Sequence, residues 1–353
     1  MIGRLVVLLA AVLGVVLLGG CSTLGYYYQA ARGQMALTWA ARPLEVGIAD
    51  PATPADLRAR LESARSIRAF ASRELALPDN STYRRYADLK RPFVVWNVFA
   101  APEFSIRARE WCFPVAGCVG YKGWFDERDA NRFADGVRAE GFDVFVGGVP
   151  AYSTLGWFND PFLSTFIRYP RAEVARLVFH ELAHQVAYAD GDSTFNESFA
   201  TSVEFEGVRR WLALQGSDAE RSAFEGMQRY KRDFLALVER TRGRLDQLYA
   251  SGLEPAAMRA AKRQAFGDMR SEYAELKRAW GGFAGYDRWF AQPLGNAHLA
   301  SIATYTQRVP AFEALLMREH GSLPGLFAHA KRLARLSQAG RDRELDALMP
   351  REP

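Results

Sequence analysis

The sequence predicts an α+β fold in which helices dominate. Three observations carry that expectation. Short runs rich in β-branched and aromatic residues are confined to one stretch, between Phe93 and Val149. Apolar residues at helical spacing precede that stretch and then follow it, nearly unbroken, from Arg171 to about Arg343. No repeat or low-complexity tract interrupts the pattern, and a few strands followed by many helices read as α+β rather than as alternating βαβ units. The chain has 353 residues, 49% apolar and 24% charged. That is an ordinary globular balance, with enough apolar side chain for a core that holds a rigid site.

Taken in order, Ser22 to about Pro51 reads as a tether running into a first helix. Leu57, Leu61, Ala64, Ile67, Phe70 and Leu75 predict a helix over residues 54–75, closed by Pro78-Asp79-Asn80. Strands are expected over residues 93–99, around 119–125 and over 143–149. A helix over 129–140 is stopped by Gly141. A loop is expected from Pro150 to Pro170. Val174, Leu177, Val178, Leu182 and Val186 predict a helix over 171–189. Asp190-Gly191-Asp192-Ser193 turns the chain into a second helix over 196–212. The helical remainder breaks near Gly252, Gly281-Gly282, Pro293-Gly295 and Gly321-Pro324. The expected organisation is a leader over 1–20 and one domain over 21–353, with its site helices at 171–212 and a helical C-terminal part at 213–345.

The N-terminus has the layout of an export signal. Arg4 precedes an apolar run from Leu5 to Leu18, interrupted only by Gly14, and Gly19 and Gly20 lead to Cys21. A membrane span needs about 20 apolar residues, so this run is short for one. Leu18-Gly19-Gly20-Cys21 resembles the bacterial lipobox. That resemblance implies a diacylglycerol on the Cys21 sulfur, cleavage before Cys21 and acylation of the new amino group. Two or more acyl chains anchor durably where one is marginal. Ser22 after the cysteine resembles the sorting pattern that sends diderm lipoproteins to the periplasmic face of the outer membrane. The alternatives are an ordinary secretory signal and an uncleaved anchor.

Two further cysteines, Cys112 and Cys118, lie six apart with Pro114 and Gly117 between them to turn the chain. An exported chain meets an oxidising compartment, so a structural disulfide is expected. A zinc pair would sit closer together and need a second pair, which is missing; buried free thiols are the other alternative. The net charge is +5, but Lys and Arg alternate with Asp and Glu and form no basic block. Nucleic acid is therefore not an expected partner.

The chemistry centres on His180-Glu181-Leu182-Ala183-His184. On a helix, residues four apart share a face, so both imidazoles can meet one ion. Glu181 can then reach a water on that ion as general base and afterwards as acid. This is the zincin arrangement, and Zn²⁺ is the expected cofactor. The chain has only five histidines, and apolar residues flank these two on both sides. A catalytic zinc takes three protein ligands as a rule. Glu197 and Glu204, seven apart on one face of the next helix, are the candidates for the third.

His180-Glu-Leu-Ala-His-Gln185, then Asn196-Glu197-Ser-Phe-Ala200 and Val203-Glu204, resemble the zinc site of the gluzincin metallopeptidases, most closely the alanyl-aminopeptidase branch. The resemblance implies a gluzincin-like core with Glu197 as third ligand and Glu204 behind the ligands. Glu197 lies 13 residues past His184, fewer than in that branch, while Glu204 at 20 suits the thermolysin-like spacing. The Gly-x-Met-Glu-Asn segment that captures a substrate amine in that branch is absent. Over most of its length the chain also resembles a family of bacterial lipoproteins described as aminopeptidases. The shared stretches are Arg91 to Phe104, Trp111 to Cys118, Ala151 to Trp157, the zinc helices and Val309 to Phe312.

Gluzincins often use a Tyr or His to stabilise the oxyanion, which points to Tyr152 or Tyr305, with His298 as a further candidate. His320 and His329 sit in charged helices and are expected to face solvent. The strand at 144–149, just upstream of the zinc helix, is expected to line the substrate cleft. Peptides are the expected substrates and the bilayer the expected anchor. The competing readings are a non-catalytic envelope lipoprotein built on a zincin scaffold, and an endopeptidase acting on envelope proteins.

Overall fold

The computed structural model describes residues 24–113, 117–151, 154, 158–302 and 308–349. Where a tether running into a first helix was expected, residues 24–40 are helical throughout and form α1. The Gln29 amide donates to the Gly123 carbonyl and accepts from the Phe125 NH, which ties α1 to the body of the protein. After α1 come β1 (Arg42–Pro43), α2 (Leu44–Ala49) and α3 (Ala55–Arg73). The apolar stripe read from the sequence is the buried face of α3: Leu61, Ala64, Ile67 and Phe70.

The strands are β2 (Arg85–Ala87), β3 (Val95–Ala101), β4 (Trp111–Phe113), β5 (Gly117–Val119), β6 (Lys122–Trp124), β7 (Asp143–Val149) and β8 (Phe162–Leu163). They form three small sheets, ordered β1-β2-β8, β6-β3-β7 and β4-β5. The first of these has no sequence signature, because two or three residues are too few to show alternation. Its strands exist only through pairing between distant segments, and β8 lies inside the expected loop. The single strand expected at 119–125 is divided in two. Gly117 to Val119 pairs with β4, and after Val119 the chain changes sheets so that Lys122 to Trp124 pairs with β3. Cys112 and Cys118 face each other in the β4-β5 ladder and form a disulfide.

In the sheet β6-β3-β7, β3 is central and both neighbours run antiparallel to it. The helix α4 (Glu127–Ala139), capped by the Asp126 side chain, covers one face. There Trp96 and Val98 meet Ala130 and Ala134. Phe99 and Phe145 pair across the strands and stack with centroids 5.9 Å apart.

The helix holding the His-Glu pair, α5 (Arg171–His184), buries Val174, Val178 and Leu182. It stops five residues short of the expected end at residue 189. Asn196, from the start of α6 (Ser193–Gln215), explains the stop. Its amide donates to the Ala189 carbonyl and accepts from the Ala189 NH, so it replaces the helical partners of that peptide. The Asp192 side chain caps α6 by accepting from the Phe195 NH. Farther along, α6 lies so close to α5 that a Cβ on Gly207 would stand 2.8 Å from the Phe179 ring and 2.9 Å from Leu75. Only glycine permits that approach.

Asn196 is 2% exposed. Asn196→Ala leaves a buried donor and a buried acceptor unpaired, so it is expected to cost about 2–5 kcal/mol in urea unfolding. A loss below about 1 kcal/mol would show that the turn does not depend on this amide.

The C-terminal part is α7 (Asp218–Tyr249), α8 (Pro255–Ala279), α9 (Asp287–Phe290), α10 (Asn296–Ala300), α11 (Val309–Arg318), α12 (Leu323–Ala334) and α13 (Gln338–Asp346). Ser217 and Glu220 form a reciprocal capping box at the start of α7. Phe234, Met269, Trp280 and Phe290, from α7 to α9 and the turn after α8, make a core of their own. The last three helices instead return to the α5-α6 core. Phe312 sits between Phe195 and Phe199, with centroids 5.4 and 5.6 Å away. Arg341 of α13, 5% exposed, donates to Asp192 at 2.9 Å.

Candidate metal centre

The hairpin of α5 and α6 brings three donors together. His180 Nε2 lies 3.2 Å from His184 Nε2 and 3.2 Å from Glu197 Oε2. His184 Nε2 lies 3.8 Å from Glu197 Oε1. Among the described residues, His180, His184 and Glu197 are the group whose donor atoms, all within 4.8 Å of one another, could hold a metal ion.

Glu204 stands on the other side of the same imidazole. His180 Nδ1 lies 2.8 Å from Glu204 Oε2, which makes Nδ1 the donor and leaves a lone pair on Nε2 facing the cluster. A carboxylate behind a ligating histidine fixes its tautomer and aims its ring. Glu204 is 1% exposed. It also accepts from Arg176 at 3.1 Å, and the Lys231 ammonium lies 3.8 Å away. Burial alone would raise its pKa, yet Arg176, His180 and Lys231 together pull it down to about 2. It is therefore an anion at neutral pH.

The donor set fits a cation. Glu197 Oε2, one of the converging donors, is buried with no hydrogen-bond partner. Two imidazoles and a carboxylate are the donor types that zinc takes. With only protons available, burial works to lower the pKa of His180, but Glu197, Glu204 and Glu181 outweigh it and hold the value up at about 10. The cluster is thus built to carry positive charge. Burial pushes the neighbouring Glu181 up to about 7, against the pull of His180. A cation at the centre would act in the opposite direction.

Two tyrosines that the sequence reading passed over sit at this cluster. The Tyr188 ring lies 6.2 Å from the His184 ring, edge to face. Tyr188 is 42% exposed. Tyr121, between β5 and β6, packs on Phe99 at 5.7 Å. Tyr121 is 39% exposed over the whole residue, but its hydroxyl is pushed up to about 12, first by desolvation and then by the charges of Glu197, Tyr188 and Glu181. Tyr188 lies one helical turn past His184 in sequence, which was a usable signal. Tyr121 had none, because the sheet alone carries it to the site.

The other predicted residues fall elsewhere. Tyr152, Tyr305 and Cys21 lie outside the described residues. His298 is 2% exposed. It accepts from the Gly295 NH and packs on Phe145 and Trp289, 4.3 and 5.6 Å away. His320 is exposed, as expected, whereas His329 is half-buried and bonded to Glu319 at 2.9 Å. A groove of about 640 Å³ between α6, α7 and α11 contains none of the three donors, although Lys231, which lies 3.8 Å from Glu204, lines it.

Asp160 also acts on Glu181 through its charge. It is 3% exposed. It accepts from the NH and hydroxyl of Thr154. Burial raises its pKa from 3.8 to about 6, although those bonds oppose the rise. A raised folded-state value favours the fold fully below about 4, and the contribution disappears as pH climbs through about 6. Relative to Asp160→Asn, the parent should lose up to roughly 3 kcal/mol between pH 4 and 7. Melting temperatures that stay parallel across this range would count against a buried, titrating Asp160.

The fold and cluster together define a class: a mainly helical α+β protein whose His-Glu helix is paired with a second, carboxylate-bearing helix. The chain belongs to the family described as "putative aminopeptidase", whose model matches residues 25–345. That description is of a peptidase. No curated protein and no solved structure matches the chain.

Proposed function

We propose that this protein is a zinc-dependent peptidase, an aminopeptidase in kind, held on the bacterial envelope by acylated Cys21 at the periplasmic face of the outer membrane. The observation that carries the reading is the convergence of His180 Nε2, His184 Nε2 and the Glu197 carboxylate, with Glu204 aiming His180 from behind. Family membership supports peptide substrates.

In this reading His180, His184 and Glu197 hold Zn²⁺. When bound, the metal would polarise a scissile carbonyl and lower the pKa of a water to about 7. Glu181 takes the proton of the attacking water and passes it to the leaving amine. A tyrosine hydroxyl donates to the developing oxyanion. Tyr121 and Tyr188 join Tyr152 and Tyr305 as candidates for that role. The strand β7 lies at an edge of its sheet, so a substrate backbone could pair alongside it.

Metal analysis of the purified protein tests the reading, with hydrolysis of aminoacyl-nitroanilides measured before and after chelation. About one zinc per chain, and activity that chelation removes and zinc restores, are expected. A metal-free preparation that hydrolyses peptides at full rate would reject the mechanism. Internally quenched peptides, assayed in parallel, separate exopeptidase from endopeptidase.

A further inference from the structure

The helix α1 has two unlike faces. Its inner face holds Tyr26, Gln29, Gly33 and Leu37. Tyr26 stacks on Phe113 and meets Trp124 edge-on, each 5.4 Å away, and Leu37 is 3% exposed. Gly33 fits only because it has no Cβ, which would overlap the Phe125 ring. The outer face carries Leu24, Tyr28, Met35 and Trp39, which are 71%, 69%, 49% and 76% exposed. Spacings of four, seven and four place them in one stripe along the helix. Exposed Ala31 lies within the stripe, and Arg32 is the only charged residue between positions 24 and 40.

Single exposed apolar residues need no explanation, but a continuous stripe of them does. Two features select a bilayer over a protein partner. Cys21 is three residues from Leu24, at most about 10 Å of chain, so acyl chains there and this stripe would enter the same surface. Trp and Tyr are also the residues that settle at the headgroup level, with a lone cation beside them suited to lipid phosphates. No helix among the described residues is long and apolar enough to cross a membrane. A helix that lies flat in the interface needs no such length.

We propose that the Leu24-Tyr28-Met35-Trp39 face of α1 is a membrane-docking surface, lying in the headgroup region and holding the peptidase body in a fixed orientation on the bilayer. The proposal rests on the envelope location given above and takes acylation of nearby Cys21 as one of its two supports, while the stripe itself is tested without the lipid.

The test uses the chain from Ser22 onward, which keeps every contact described here and carries no lipid. It is sedimented with vesicles of phosphatidylethanolamine and phosphatidylglycerol. The parent is expected to sediment with the vesicles. Tyr28→Ser combined with Met35→Ser and Trp39→Ser should lower its partitioning at least tenfold, roughly, at an unchanged melting temperature. In vesicles of brominated lipid, the parent should lose fluorescence that the near-isosteric Trp39→Phe protein lacks. A parent that stays in the supernatant, one that dimerises through this face and ignores vesicles, or equal quenching in both proteins would overturn the proposal. The mass of the N-terminal peptide from native membranes reports Cys21 acylation separately, so either idea can fail without the other.

Discussion

Glu181→Gln is expected to lower kcat by about 10²- to 10⁴-fold while zinc stays at one per chain. The reason lies in where the carboxylate sits. Glu181 lies within the helical turn between the two histidines and feels the charges of His180, Glu197 and Glu204. It is not one of the three converging donors. Glutamine keeps the shape and cannot take a proton, so KM should change far less than kcat. Hydrolysis at the parental rate with metal retained would remove Glu181 from the mechanism. Loss of metal would mean that it belongs to the coordination shell instead.

Glu197→Gln and Glu204→Gln should fail in different ways. The first removes the charge of the carboxylate whose Oε2 faces His180 Nε2 and whose Oε1 faces His184 Nε2, so zinc should no longer survive dialysis and activity should vanish. The second leaves all three donors but releases His180 from its aiming partner. Zinc affinity should fall about 10- to 100-fold, with activity recovered at saturating metal. Glu204→Gln should also destabilise the metal-free fold by about 1–3 kcal/mol, because Arg176 keeps its ion pair with Glu173 but loses the buried one with Glu204. Titration with zinc and urea unfolding check both. If Glu204→Gln abolished metal binding and Glu197→Gln only weakened it, the ligand assignment would be reversed.

Much of the site was legible along the chain. His180 and His184 needed only helical geometry to share a face, and the apolar run around them has the period that buries α5. The capping residues Asp126, Asp192 and Ser217 act within a few residues of themselves, and such local chemistry can be read without knowing the fold. The early end of α5 could not be read in this way. Val186 continues the helical period, but Asn196 captures the Ala189 peptide from the next helix. The residues of α1 were helix-compatible too. That helix forms against Phe113, Trp124 and Phe125, none of which is near it in sequence.

By itself the sequence determined which residue types would meet: two imidazoles one turn apart, a carboxylate beside them and two further carboxylates on the following helix. Only the tertiary structure decided how those last two divide. Glu197 and Glu204 are two helical turns apart, about 10 Å along α6. As α6 crosses α5, one reaches His180 Nε2 and the other His180 Nδ1. The physical reason is that spacing sets the face of a helix on which a side chain lies, while the packing of that helix against its neighbour sets the atom it touches.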